Sequence, residues 1–172
     1  MCSSDLVAWR VVKKPSQLDA VDGLIMPGGE STTLIKLMDS SGLWQAIGNF
    51  GAATKPIFGT CAGMILLAKD VSNPAQRSLG LIDIGVERNG YGRQIDSAEA
   101  EGVFRSADGE CAMEMVFIRA PRITRLGADV EALAECRGDV VMARQGHLLV
   151  ASFHPELTDD LTAHRYFVDM IA

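Results

Sequence analysis

The cysteine of Gly59-Thr60-Cys61-Ala62-Gly63 and the two ionisable side chains of His154-Pro155-Glu156 could together supply a nucleophile, a base and an orienting acid. A thiol attacks when a neighbouring imidazole takes its proton, and a carboxylate on the far ring nitrogen fixes the tautomer that can do so. The cysteine follows the apolar run Lys55-Pro56-Ile57-Phe58 and precedes Met64-Ile65-Leu66-Leu67, which reads as strand, sharp turn and helix. Small residues two before and two after it let strand and helix approach closely while the sulfur stands clear. The turn places Cys61 at a helix N-terminus, where unpaired N–H groups and the helix dipole favour a thiolate. The N–H of Ala62 faces the same space and can receive an oxyanion. Taken alone, the turn also fits a buried structural cysteine. The strand 148–153 that delivers His154 supplies the partner the catalytic reading needs.

A second group is Pro27-Gly28-Gly29-Glu30-Ser31-Thr32-Thr33, at the end of the apolar run Leu24-Ile25-Met26. A rigid proline and two glycines make a turn whose amides can point outward, with Ser31 or Thr32 as the expected helix N-cap. By itself such a stretch is equally a plain loop. Its place at the carboxyl end of a strand is where open α/β sheets bind ligands. Arg88 and Arg93, in a polar glycine-punctuated loop, and Arg119 are candidates for holding a substrate carboxylate bidentately; for each, a solvated surface charge is the alternative. Cys2, Cys111 and Cys136 are widely spaced, form no C-x-x-C pair and read as structural or incidental. That spacing argues against a zinc site. His147 and His164 have no role legible from the sequence.

The elements that must position these groups follow from hydrophobic patterning. Residues 7–12 are β-prone, and 23–26 form a continuously apolar strand of the kind buried on both faces of a parallel sheet. Leu34, Ile35, Leu37 and Met38 mark a helix ending at Gly42, and Leu43, Trp44, Ile47 and Phe50 mark a second. The elbow strand then leads into a helix expected to run to Ser72-Asn73-Pro74. This alternation indicates α/β architecture: three layers, flavodoxin-like, with a central mostly parallel sheet. From Leu81 onward the texture changes to short β-prone pieces at 82–87, 92–98, 115–119, 130–133, 140–144 and 148–153, expected to add antiparallel strands. Thr158 is the expected N-cap of a last helix burying Leu161, Phe167, Val168 and Ile171.

The 172 residues fit one domain spanning 1–172, and 48% hydrophobic with 22% charged residues is a globular composition. Sixteen basic against 22 acidic side chains, scattered, give a net charge of −6 and argue against nucleic-acid binding. No apolar run is long enough to cross a bilayer and residues 1–6 lack signal-peptide features, so a cytoplasmic location is expected. In that reducing compartment the cysteines are free thiols.

The segments P-G-G-E-S-T-T, F-G-T-C-A-G, E-R-N-x-x-G-R-Q, F-I-R-A-P and S-F-H-P-E-L-T, in this order, resemble the glutaminase subunits of pyridoxal 5'-phosphate synthase, within the class I glutamine amidotransferases. The likeness runs from about residue 7 to the C-terminus. It implies a Cys61, His154 and Glu156 triad acting on L-glutamine. It also implies that the substrate is held by Gly28, Gly29, Glu30, Arg88, Ile118 and Arg119, with the oxyanion received by amides of Gly29 and Ala62. Ammonia would pass to a separate barrel-shaped synthase subunit in a hetero-oligomer, and no cofactor or metal of its own is implied. Members of that family begin with a strand and helix carrying Leu-Gln-Gly-Ala, which residues 1–6 do not match. Without that strand, unpaired backbone and apolar surface are expected at the sheet. The alternatives are another flavodoxin-like cysteine hydrolase acting on small electrophiles or peptides, and an inactive chain that only docks to the synthase.

Overall fold

The computed structural model describes residues 7–90, 97–107 and 109–171. Three parallel strands form its organising core. Strand β2 (Ile57–Thr60) lies between β1 (Leu24–Met26) and β10 (Leu148–Ala151), pairing Met26 with Gly59 on one side and Ala151 with Thr60 on the other. All three therefore end at one edge of the sheet, and the loop after each begins there. The sheet continues antiparallel from β10 through β9 (Asp139–Gln145), β8 (Glu131–Cys136), β5 (Ser97–Ser106) and β6 (Gly109–Ile118), giving seven strands. A smaller sheet holds β3 (Ala68–Ser72), β4 (Ile82–Glu87) and β7 (Arg122–Leu126).

Burial explains the layering. One face of the large sheet packs Ile57, Leu148 and Val150 against helices α1 (Ser31–Ser41), α2 (Leu43–Ala52) and α3 (Ala62–Leu67). Its other face packs Phe58, Leu149 and Phe153 with Phe117, Met142 and, from α4 (Thr162–Asp169), Phe167. Alternate residues of β2 and β10 thus serve opposite layers, as the two-residue period of a strand requires. The α/β class with a parallel centre and antiparallel additions is the architecture found.

Several local expectations are corrected. Residues 7–12 form no strand; Trp9 is 85% exposed, and Pro15–Ala20 is a 3-10 turn. Among the described residues β1 pairs with β2 alone, and its Ile25 is 45% exposed. A β-prone run becomes a strand only when a neighbouring strand takes its hydrogen bonds. The elbow helix stops at Leu67, because residues 68–72 pair with β4 as β3, so sheet pairing overrides the helical reading. Strand β7 carried too weak a pattern to be expected. The N-cap of α1 is Glu30, whose carboxylate accepts from the Thr32 amide; Ser31 and Thr32 are the first two helical residues. The last helix starts at Thr162, where the Asp160 carboxylate accepts the Thr162 N–H, while Thr158 caps only the turn before it.

Candidate functional site

The register of β2 against β10 creates the site. Past the Thr60 and Ala151 pair, the Cys61 N–H still donates to the Ala151 carbonyl at 2.8 Å. Two residues beyond Ser152, the His154 N–H donates to the Val116 carbonyl at 2.8 Å, which ties the histidine to β6. The chain separation between positions 61 and 154 is thus closed by adjacent strand ends.

Cys61 has φ 48° and ψ −106°, a sparsely populated conformation for a residue with a side chain. The elbow holds it there through close approach. A β-carbon on Gly59 would lie 2.7 Å from the Gly63 carbonyl carbon, and one on Gly63 would overlap the Met26 carbonyl oxygen. Both glycines are therefore needed for strand β2, helix α3 and strand β1 to meet. The sulfur lies 4.0 Å from the Ile118 carbonyl oxygen.

His154, 9% exposed, hydrogen-bonds Glu156 between Nδ1 and Oε1 at 2.8 Å. Its pKa is raised from the ordinary imidazole value to about 10, first by the hydrogen bond with Cys61 and then by that with Glu156, against the opposing effect of burial. Burial pushes the Glu156 carboxyl upward, yet the His154 hydrogen bond, its own backbone amide and the charges of His154 and His164 outweigh it, leaving the pKa lowered. His154 and Glu156 are thus joined directly, and the Cys61 sulfur stands at the neighbouring strand end.

The Gly28 turn lies against the same pair: a β-carbon on Gly28 would be 3.0 Å from His154 Nδ1 and 3.3 Å from the Cys61 β-carbon. Gly29, at φ 147°, occupies backbone space that a side chain rarely adopts. Glu30 then turns toward the arginines. Its pKa is lowered chiefly by hydrogen bonds from the Thr32 hydroxyl and amide, against burial, with smaller contributions from Arg88 and Arg119. Arg88 is 3.6 Å from Glu30, and its side chain is largely buried. Ile118 and Arg119 close the other side, with Arg119 at φ 43°. Gly28 and the Ile118 carbonyl thus lie against the cysteine and histidine, while Gly29 and Glu30 continue the turn and Glu30 faces the charges of Arg88 and Arg119; Arg93 lies outside the described residues.

Beside Glu156 runs a groove of about 740 Å³ lined by carboxylates of Glu99, Glu101, Glu114 and Asp159, with Leu157 at its rim. Among the described residues no group of three His, Cys, Asp or Glu side chains could hold a metal, and no helix is long and apolar enough to cross a membrane. Cys136 is buried and its thiol, pushed up by that burial, donates to the Glu101 carbonyl at 3.8 Å, a packing role. His164, on α4, meets the Phe58 ring edge-on with centroids 6.5 Å apart.

Comparison with known proteins adds the following. The SNO glutamine amidotransferase family matches residues 2–172. A protein of Bacillus licheniformis named pyridoxal 5'-phosphate synthase subunit PdxT is 49% identical over 164 residues, 95% of this chain and 83% of its own. A protein of the same name from a Geobacillus species is 52% identical over 171 residues, 99% of this chain and 86% of its own. A crystal structure of a glutamine amidotransferase superposes with a TM-score of 0.85 at 42% identity, covering 93% of this chain and 84% of that one. The structure of PurLQS from Thermotoga maritima shares the fold at a TM-score of 0.65 and 13% identity, covering 90% of this chain and 82% of that one.

Proposed function

The chain belongs to the SNO glutamine amidotransferase family, and from that premise we propose that Cys61, His154 and Glu156 hydrolyse the side-chain amide of L-glutamine by acyl transfer. The observation that carries this reading is an imidazole hydrogen-bonded to the Glu156 carboxylate at 2.8 Å, with Gly28 packed against both that ring and the Cys61 β-carbon at the shared carboxyl edge of β2 and β10. With its pKa near 10, His154 holds a proton at neutral pH beside the sulfur, and Glu156 stabilises that imidazolium.

The sulfur attacks the amide carbon, the carbonyl electrons move to oxygen, and the amides of Gly29 and Ala62 receive the oxyanion. His154 delivers its proton to the departing nitrogen, so ammonia leaves as the C–N bond breaks. Water, losing a proton to His154, then cleaves the γ-glutamyl thioester and releases glutamate with the thiol restored. Arg88 and Arg119 bind the α-carboxylate of glutamine, and Glu30 its α-ammonium. In the resting chain Arg88 and Glu30 satisfy each other at 3.6 Å, and an incoming zwitterion offers each a replacement partner.

The chain is the glutaminase subunit of a pyridoxal 5'-phosphate synthase, the assembly for which its roughly 50% identical relatives are named. Its ammonia passes to a barrel-shaped synthase subunit docked over the site. The test is glutamate release by Cys61→Ala with that subunit present: activity is expected to fall by about four orders of magnitude or more, and substantial residual turnover would rule out the nucleophile.

A further inference from the structure

The loop 73–81, which joins β3 to β4, is fastened to both of the polar groups assigned to the α-carbon end of the substrate. At its start it grips the arginine side. The Arg88 N–H donates to the Ser72 carbonyl at 3.0 Å, the Asn89 side-chain amide to the Asn73 carbonyl at 3.1 Å, and the Asn73 side-chain amide to Glu87 at 2.8 Å. Three residues on, it grips the glycine turn: the hydroxyl of Ser31, the residue after Glu30, donates to Gln76 Oε1 at 3.0 Å. Ser31 is 3% exposed, so its hydroxyl depends on that acceptor rather than on bulk water. Arg77 then pins the loop to the helices, its guanidinium 3.9 Å from the centre of the Trp44 ring and donating to both carboxylate oxygens of Asp39. Further on, the N–H groups of Leu79 and Leu81 donate to the carbonyls of Leu66 and Leu67 in α3.

The contacts close a circuit. Glu30 and Arg88 stand 3.6 Å apart, and the path from Glu30 through Ser31, Gln76 and Asn73 leads back to the segment that carries Arg88. The Gln76 amide is bound through its oxygen alone, since its Nε2 is buried with no hydrogen-bond partner. Burying an unpaired donor is costly, so packing by itself does not account for an amide at this place.

We propose that Gln76 is a positioning residue for substrate binding: through Ser31 it holds the Gly28-Gly29-Glu30 turn at the spacing from Arg88 that fits the α-ammonium and α-carboxylate of one amino acid. The inference rests on the glutamine reading above. Both substrate groups sit on a single carbon, so their receptors cannot drift apart without one of them losing its partner. A turn already fixed in its binding position has less freedom left to lose when substrate arrives, and that raises affinity. Gln76 touches no reacting atom in this scheme, so its influence falls on binding and not on the chemical step.

The experiment measures glutamate release by Gln76→Ala, Ser31→Ala and the double variant, each assembled with the synthase subunit, beside Gln76→Glu, which keeps an acceptor for the Ser31 hydroxyl. Each single alanine variant is expected to raise the glutamine KM about fivefold, the effect of one ordinary hydrogen bond, with kcat within about twofold of wild type. The double variant should show the same KM as either single one, because all three remove the same link. Gln76→Glu should recover most of the loss. In hydrogen–deuterium exchange, the peptide holding residues 27–33 should exchange about threefold faster or more in Gln76→Ala, with α2 unchanged. A wild-type KM in Gln76→Ala, additive losses in the double variant, or a kcat that falls as far as KM rises would overturn the proposal and leave 73–81 a packed connection. If the wild-type assembly releases no glutamate the glutaminase reading falls, while the exchange of residues 27–33 still decides whether Gln76 holds the turn, and unchanged exchange there means that it does not.

Discussion

Gly28 stands so close to the His154 ring that a β-carbon there would overlap Cε1 and lie 3.0 Å from Nδ1. The turn beside the substrate space is thus also the wall that sets the imidazole's position. Gly28→Ala would push the ring off both Cys61 and Glu156. Since misplacement of a base by about an ångström costs on the order of 100-fold in rate, kcat is expected to drop by about that factor. Thermal unfolding should change little, because the clash involves one side chain at the sheet edge. Unaltered kinetics in Gly28→Ala would show that the ring has room to spare.

Arg88 lies 3.6 Å from Glu30 and Arg119 follows Ile118, whose carbonyl faces the sulfur, and the proposed reaction does not use either guanidinium chemically. Removing a guanidinium from the α-carboxylate should weaken binding of substrate and transition state alike. Arg88→Ala or Arg119→Ala is expected to raise the glutamine KM about tenfold or more with a smaller change in kcat. Steady-state kinetics on both variants check this, and a wild-type KM in both would take them out of the substrate site.

The His154 pKa, raised to about 10 chiefly by Cys61, makes a titration prediction with a definite sign. A group whose pKa is higher folded than unfolded adds stability that is fully present below the unfolded value, about 6.5 for imidazole, and is lost as pH rises through the folded value. Unfolding midpoints should therefore fall between pH 7 and 10 in the wild type and fall less steeply in Cys61→Ala. By NMR the His154 midpoint in Cys61→Ala should drop by more than about one unit. Equal midpoints in the two proteins would show that the sulfur is not what holds the proton.

Gly63 has no room for any side chain: a β-carbon would overlap the Met26 carbonyl oxygen and stand 2.9 Å from its carbon. Backbone on both sides of this contact cannot yield as a side chain could. Gly63→Ala is expected to destabilise the chain by about 3 kcal/mol, at the severe end for a single added methyl. For a chain of this size that corresponds to roughly 6–12 °C in the thermal midpoint. Calorimetry or a circular-dichroism melt reads it, and a melt within a degree or two of wild type would contradict the close packing of β1 on α3.

Local chemistry made much of the site legible. The elbow is written in adjacent residues, because at Gly59 and Gly63 only glycine permits the backbone contacts around Cys61. Likewise His154 and Glu156 need only two residues of separation to form their 2.8 Å hydrogen bond. The apolar runs at 57–60 and 148–151 also declared themselves, since a strand buried on both faces has few polar positions to spare, whereas 24–26 became a strand that leaves Ile25 exposed.

Where local preference met a distant competitor, the sequence was a weaker guide. Residues 68–72 follow a helical run but pair with β4, and residues 7–12 are β-prone yet remain outside any sheet. Glu30 took the capping role from Ser31 because its longer carboxylate reaches both the amide and the hydroxyl of Thr32 while also facing Arg88.

The sequence by itself determined which atoms can react and how the chain bends around them: a thiol on a glycine-flanked elbow, an imidazole with its carboxylate, and a turn free of side chains. Only the tertiary structure decided that they meet at one sheet edge, through the pairing of Thr60 with Ala151. The physical reason is range. Backbone conformation is set by neighbours along the chain, whereas strand register and helix docking depend on which buried surfaces fit together after the chain has closed on itself.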